Sequence, residues 1–415
     1  MVENVKELLK LHEGIKHEVY LDNENSCIVP QEVVDAMLPY FNKAAYGNPT
    51  LTHKPGWEAF EVIMNSFQKI SRYMGAKILE EITFTTSETE ANNLAIMGSC
   101  FAQKSRGKKI IVSEIEPVNV LQVAELMGKF GFSTTKIPVD HEGFINLEKL
   151  KEAVDNETVL VSISTVNNEL GTIQPIKEAV DIVKAKNPHT LFHTDASDAY
   201  GRIPVNVQDL KVDMATVSSF KILGPRGIGA LYVREGVNVE KILEGQIGTQ
   251  KLWPGIENTP LIVGFTKASE LAFENFEANT NKMRTLRDKL VDGVFNELTD
   301  VKFNGATISD SQFRATRWTD VALHGYRITG STFQDCELKD VEFRDNLRGS
   351  GSERATWTNC KLRDTRFIRC SFAGAQISDV DLSDMRIDSV DFSNKVIKGN
   401  DEFRKIAQAA KSTAS

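Results

Sequence analysis

The 415-residue sequence contains no run of about eighteen apolar residues, the least that crosses a bilayer as a helix, so no membrane-spanning segment is expected. Its opening, MVENVKELLKLHEG, mixes acids and bases with leucines and lacks the unbroken apolar stretch of a secretory leader, which points to the cytoplasm. Excess positive charge is missing too. Lys and Arg total 49 against 57 Asp and Glu, a net charge of −8, so there is no broad basic field for nucleic-acid phosphates. Cysteine is scarce: Cys27, Cys100, Cys336, Cys360 and Cys370 include no CxxC pair, which argues against a disulfide framework and against a zinc knuckle. Proline stops early, with all twelve at or before Pro260.

The loss of proline coincides with a change in the basic residues. Residues 1–302 hold 25 Lys and 7 Arg, whereas residues 303–397 hold 3 Lys and 10 Arg. A shift in both habits marks a boundary near Val301. Before it, short apolar strands at 110–112, 159–164, 191–194, 214–217 and 229–233 alternate with amphipathic helices at 56–73, 89–103, 118–130 and 176–186. The stretch 259–298 reads as mostly helical. Such alternation predicts an α/β domain with a mostly parallel sheet and a ligand site beyond the carboxyl ends of its strands.

After the boundary the period is five. Phe303, Ile308, Phe313, Trp318, Leu323, Ile328, Phe333, Leu338 and Phe343 lie five apart, and after a loop around 347–353 the series resumes from Trp357 to Ile397. Small or thin residues such as Ala306, Ser311, Cys336, Cys360 and Cys370 sit two positions earlier. No helix has this period. The pattern resembles the pentapeptide-repeat family, which implies an all-β right-handed β-helix over residues 303–397 with both the large and the small position facing inward. Four units per coil would give a solenoid of roughly 22 Å at about 4.8 Å per layer. The tail, 398–415, reads as a capping helix for its open end. Near-neutral charge, with 13 basic and 14 acidic side chains over 303–397, leaves a protein partner for the outer face as an open expectation.

Three features of the first part carry chemistry. A hydroxyl-rich turn, Thr83-Phe84-Thr85-Thr86-Ser87-Glu88-Thr89, leads from a strand into a helix, where free N–H groups suit a phosphate; taken alone, a capping box of Ser87 with Glu90 is the better reading of it. Asp195 ends an apolar strand. Lys221 follows another, just before Gly224-Pro225-Arg226-Gly227. Separately these read as a cap and a surface charge, but together they are the parts that pyridoxal phosphate needs: a phosphate turn, a carboxylate for the pyridine nitrogen and a Schiff-base lysine.

The stretches Tyr46-Gly47-Asn48-Pro49, Glu90-Ala91-Asn92-Asn93-Leu94-Ala95-Ile96, Val166-Asn167-Asn168-Glu169-Leu170-Gly171 and Gly224 to Val233 resemble the cysteine desulfurase family of class V, fold-type I pyridoxal-phosphate enzymes over about residues 19–300. The resemblance implies that residues 1–302 form the large domain of a pyridoxal-phosphate-dependent transferase. It makes Lys221 the catalytic lysine that bonds pyridoxal 5'-phosphate, with Asp195 at the ring nitrogen. The Thr89 side chain, the backbone of Glu88 and Ser218 would hold the phosphate, and Asn168 would lie beside the ring hydroxyl. It also implies a homodimer through this domain and a small amino acid, cysteine or one like it, as substrate.

Four departures from the family pattern accompany the match. Pro117 stands where the family stacks a histidine on the ring, Phe220 where it has another before the lysine, Asp198 where it has a glutamine, and Ile256 where a threonine reaches the partner's phosphate. The family's small domain, with its nucleophilic cysteine and substrate arginine, would be replaced by the repeats. Three readings follow: a pyridoxal-phosphate enzyme with impaired desulfuration, a catalytically degenerate scaffold presenting the β-helix, or an artificial fusion without a joint function. Cys27 is a weak replacement nucleophile, having no basic neighbour in sequence, and Cys100 belongs to the core.

Overall fold

A computed structural model describes residues 20–246 and 248–297 and, beyond them, Val341 and a series of short strands between Lys302 and Ile397. The chain parts into two compact units, the division falling between Phe276 and Glu277.

The first unit is built on seven strands: β1 (Ile82–Thr85), β2 (Lys109–Ser113), β3 (Ser133–Ile137), β4 (Thr158–Ser162), β5 (Leu191–Asp195), β6 (Met214–Ser218) and β7 (Gly229–Val233). Their order is β1-β7-β6-β5-β4-β2-β3. Only β7 runs against its neighbours, so β1 and all the others point one way. Strands β1, β4, β5, β6 and β7 are buried along their whole length. That is why they read as near-continuous apolar runs instead of alternating ones.

Alternate residues feed two cores. Phe84, Ile111, Val161, Phe192, Ala215 and Tyr232 face one cluster. Ile110, Leu160, Leu191, Met214 and Leu231 face the other. The period of two along a strand produces this division. Helix Lys54–Met74 covers the first face with Ala59, Ile63, Phe67, Ile70 and Met74, and ends at Gly75 in the left-handed conformation (φ 76°). Helix Glu88–Gln103 covers the second face with Ala91, Leu94, Ala95 and Cys100.

Several elements differ from the sequence expectation. Strand β4 is Thr158–Ser162, two residues short of the expected end, although the Ile163 and Thr165 N–H groups still donate to the His193 and Asp195 carbonyls. The helix expected to reach residue 130 ends at Leu126 and tightens into a 3₁₀ turn, Met127–Phe130. The stretch 259–298 is helical as expected, in two helices, Thr259–Glu274 and Phe276–Glu297, that meet at Asn275.

In the second unit the three-residue strands are centred on the pentad positions. Phe313 pairs with Phe333, Trp318 with Leu338 and Leu323 with Phe343, all parallel and twenty residues apart. Beyond the loop the step is restored, as in Phe367 with Ile387. The pairs form four separate ladders. Trp318, Leu338 and Val341 are fully buried. The pentad centres Phe372, Leu382 and Phe392, the cysteines Cys336, Cys360 and Cys370, and the tail 398–415 lie outside the described residues. Among the described residues no helix is long and apolar enough to cross a membrane.

Candidate active site

Because β1, β4, β5 and β6 point the same way, their carboxyl ends gather at one edge of the sheet. There a cavity of about 180 Å³ is lined by Glu88, Pro117, Asn168, Asp195, Asp198 and Lys221 among others. Six of the eight expected site residues therefore share one pocket. Thr89 is exposed on the first turn of its helix and Ser218 is buried at the end of β6; neither lines the cavity.

Asp195 ends β5 with its carboxylate fixed twice: Asn92 Nδ2 donates to Oδ2 at 2.7 Å and the Ser197 N–H to Oδ1 at 2.9 Å. Burial raises its pKa, against those two donors. The carboxylate is thus oriented and short of a cationic partner. Asn92 shares with Asp195 a contact that sequence reading missed, since the two stand 103 positions apart.

Lys221 follows β6 in a short 3₁₀ turn, Phe220–Ile222, capped by Leu223 in the left-handed region (φ 64°). A branched residue held there stores strain, as functional turns do. The Nζ of Lys221 pairs with Glu24 and lies 3.0 Å from Asp198 Oδ1. Burial would lower the pKa of the lysine, but these two carboxylates outweigh it and raise it. Arg202 braces the same group, donating to the Lys221 carbonyl at 2.9 Å and to Asp198 at 3.3 Å. Glu24 reaches the site from the loop Asp22–Cys27, which Arg226 fastens through Ser26. Its role had no signal in the sequence, where its partner lies 197 positions away.

Below Pro117 a second buried carboxyl, Glu116, accepts from Ser113 Oγ at 2.5 Å, Ser164 Oγ at 2.5 Å and the Ser164 N–H at 3.0 Å. Burial pushes it up to about 7, against the serine donors. It ties the loop after β2 to the end of β4, which sets Pro117 at the wall of the cavity. The capping arrangement at residue 87 is partly as expected. Ser87 Oγ accepts from the Glu90 N–H at 3.1 Å, but the Glu90 carboxylate reaches one residue further, to the N–H of Thr86 at 2.6 Å.

Cys27 is 7% exposed; its Sγ contacts the Gly224 carbonyl at 3.7 Å, and burial raises its pKa despite Arg226 and Arg202. Cys100 is fully buried, with its thiol pushed up to about 12. Neither lines the cavity. Ile256, from the segment Trp253–Ile256, is 54% exposed and also lies outside the lining.

A mixed sheet of this order, with a carboxylate closing β5 and a buried lysine following β6, defines the large domain of a pyridoxal-phosphate-dependent transferase. The comparisons with known proteins agree. The class-V aminotransferase family matches residues 19–325 and the pentapeptide repeat region matches residues 296–377. The chain is 40% identical over 291 residues to the cysteine desulfurase IscS of Dictyoglomus turgidum, across 70% of this chain and 73% of that one. Among solved structures it is similar to a NifS-like protein, with a TM-score of 0.65 at 36% identity covering 67% and 76% of the two chains. It is also similar to SspA in complex with cysteine, with a TM-score of 0.58 at 33% identity covering 61% and 72%. The chain belongs to the class-V aminotransferase family, within its cysteine desulfurase group, and carries a pentapeptide repeat region.

Enzymes of this family use pyridoxal 5'-phosphate, and the lining suits that group at two points. Lys221 Nζ and the Asp195 carboxylate open on one cavity, and Ser197 Oγ and Asn119 Oδ1, on lining residues, are buried without hydrogen-bond partners. Buried polar atoms left unpaired in this way are what a polar ring ligand would satisfy.

Proposed function

We propose that this chain holds pyridoxal 5'-phosphate in the cavity at the carboxyl edge of the sheet and works on a small amino acid, cysteine or one like it, through Lys221. The convergence of Lys221 and the buried Asp195 on a single pocket, in a chain of this family, carries the reading. The cofactor supplies an electron sink when bound. The residues do the rest. Asp195, held by Asn92 and Ser197, offers a fixed negative charge to a protonated ring nitrogen. Pro117 would cover a ring face and Asn168 would lie beside the ring hydroxyl, while Asp198 sits 3.0 Å from Lys221 Nζ, close enough to orient it. Ser218, Thr89 and the backbone of Glu88 would hold the phosphate.

Sulfide release from cysteine should be slow. It needs a thiolate brought to the substrate sulfur, and such positioning is worth effective molarities as high as about 10⁵ M. Neither cysteine among the described residues is placed or ionised to attack that sulfur, because both thiols are buried with raised pKa values. The repeats we read as a right-handed β-helix in place of the relatives' remaining length. Transamination, which asks mainly for Lys221 and the ring, should survive better. A homodimer through the first domain, no nucleic-acid partner and a cytoplasmic setting complete the proposal. A scaffold role is the second reading, favoured by Glu24 and Asp198, which hold Lys221 as an ammonium.

The test is turnover of L-cysteine by protein preincubated with pyridoxal phosphate, with alanine, sulfide and the visible spectrum followed together. We expect a visible band that shifts on adding L-cysteine, with sulfide far below that of an ordinary desulfurase. Sulfide at an ordinary rate that Cys27→Ser leaves unchanged would contradict the absence of a nucleophile. If Cys27→Ser abolishes that rate, the loop cysteine is the nucleophile.

A further inference from the structure

The helix Glu88–Gln103 begins with a residue that lines the cavity, so its positive end starts there. Into that position the chain sends an anion of its own. The Glu88 side chain lines the cavity, and its Oε2 is buried without a hydrogen-bond partner. The carboxyl lies beside the buried Ser218 hydroxyl, which favours its ionised form. Glu88 lines the pocket, whereas Ser218, a hydroxyl that the family resemblance gives to the phosphate, does not.

The charged groups around Glu88 come from every neighbouring element. Asp195 at the end of β5 and Asp198 just after it repel its ionised form, whereas Lys221 after β6 attracts it. Glu24 lines the same cavity, but its charge is matched by Lys221, and Arg202 is engaged by Glu24 and Asp198. On its own helix, Glu90 is turned onto Thr86. Burial foremost, helped by the two aspartates and opposed by Ser218, pushes Glu88 up to about 7. A phosphate carries about −1.5 to −2 charges near neutrality and would meet this carboxylate face to face.

We propose that Glu88 occupies the anion position of this cavity, so that a phosphorylated ligand binds only with the Glu88 carboxyl protonated and takes up a proton as it enters. The proton comes from solvent onto a Glu88 oxygen and no bond of the phosphate is made or broken. The neutral acid donates to a phosphate oxygen where a carboxylate would repel it. The proposal rests on reading the cavity as a pyridoxal-phosphate site. Its consequence is specific: affinity for the phosphorylated ring falls toward about tenfold per pH unit above neutrality. Pyridoxal, with the same ring and aldehyde and no phosphate, should escape the effect.

The experiment measures binding of pyridoxal phosphate and of pyridoxal, by absorbance, to the full-length protein and to Glu88→Gln and Glu88→Ala between pH 7 and pH 9. For the unaltered protein we expect affinity for the phosphate ester to fall by at least about 30-fold across that range, after the change seen with pyridoxal is divided out. Glu88→Gln and Glu88→Ala should both lose that slope and bind the ester at pH 9 at least about tenfold more tightly. Pyridoxal affinity should agree within about threefold among all three proteins. An unaltered protein whose slope equals that of both variants overturns the role of Glu88 while leaving the cofactor site standing. Binding of neither ligand by any of the three proteins overturns the cofactor reading and this proposal together.

Discussion

Glu116 shows how a single buried carboxyl can govern stability without touching a ligand. Its folded-state pKa of about 7 stands above the ordinary 4.5 because burial outweighs the donors Ser113 and Ser164. A carboxyl raised in the folded state contributes stability that is fully present below about pH 4.5 and drains away as pH climbs toward 7, at no more than about 1.4 kcal/mol per pH unit. Glu88, also pushed up to about 7, acts with the same sign. Denaturant unfolding at pH 5 and pH 7 should therefore show the parent losing roughly 2 kcal/mol more than Glu116→Gln over that interval; equal losses would rule out an acid held neutral at this site. At this scale the sequence was partly legible. Lys221 and Asp195 could be found because strand ends deliver them and neighbouring motifs frame them. Asn92, Glu116 and Glu24 could not be assigned roles, because their partners are distant in sequence: Asn92 meets Asp195, Glu116 meets Ser164 and Glu24 meets Lys221. Glu88 was read only through its backbone, since nothing in the order of residues says which way a side chain at a helix start will turn.

The elements around the site depend on how their ends are satisfied. Ser87 is the N-cap of helix Glu88–Gln103, and its Oγ takes the Glu90 N–H that would otherwise be orphaned beside the cavity. Replacing it with alanine should cost about 1 kcal/mol, read as a lower denaturant midpoint with an unchanged slope, and Ser87→Asp should restore most of it. No change in midpoint for Ser87→Ala would show that the Thr86–Glu90 contact caps the helix by itself. Buried strands were the easiest elements to read, because a strand covered on both faces leaves an unbroken apolar run. Strand β3 was missed for the converse reason: Ser133-Thr134-Thr135-Lys136 lies on the edge of the sheet and is mostly open to water, so its composition is that of a loop. The break at Asn275 also had no helical-period signature. Asparagine competes for backbone hydrogen bonds, and here its Nδ2 donates to the Leu271 carbonyl at 3.4 Å.

At the scale of the whole chain, two sequence grammars correspond to two compact units, though compactness changes at Phe276/Glu277 and the residue pattern changes near Val301. Between those points lies the helix Phe276–Glu297, whose apolar periodicity resembles that of the helices before it. The five-residue register was visible without any structure because one large apolar residue recurs at every unit, and parallel partners twenty residues apart are what four such units per turn require. Within the desulfurase-family domain, the proposed site keeps a lysine and a strand-end carboxylate on one cavity while the groups around them depart from the family pattern. That account stands on Lys221. Borohydride reduction of the protein loaded with pyridoxal phosphate, followed by peptide mapping, tests it most directly. The account predicts a pyridoxyl label on Lys221 alone, lost in Lys221→Ala; a label on another lysine, or none after loading, would contradict it.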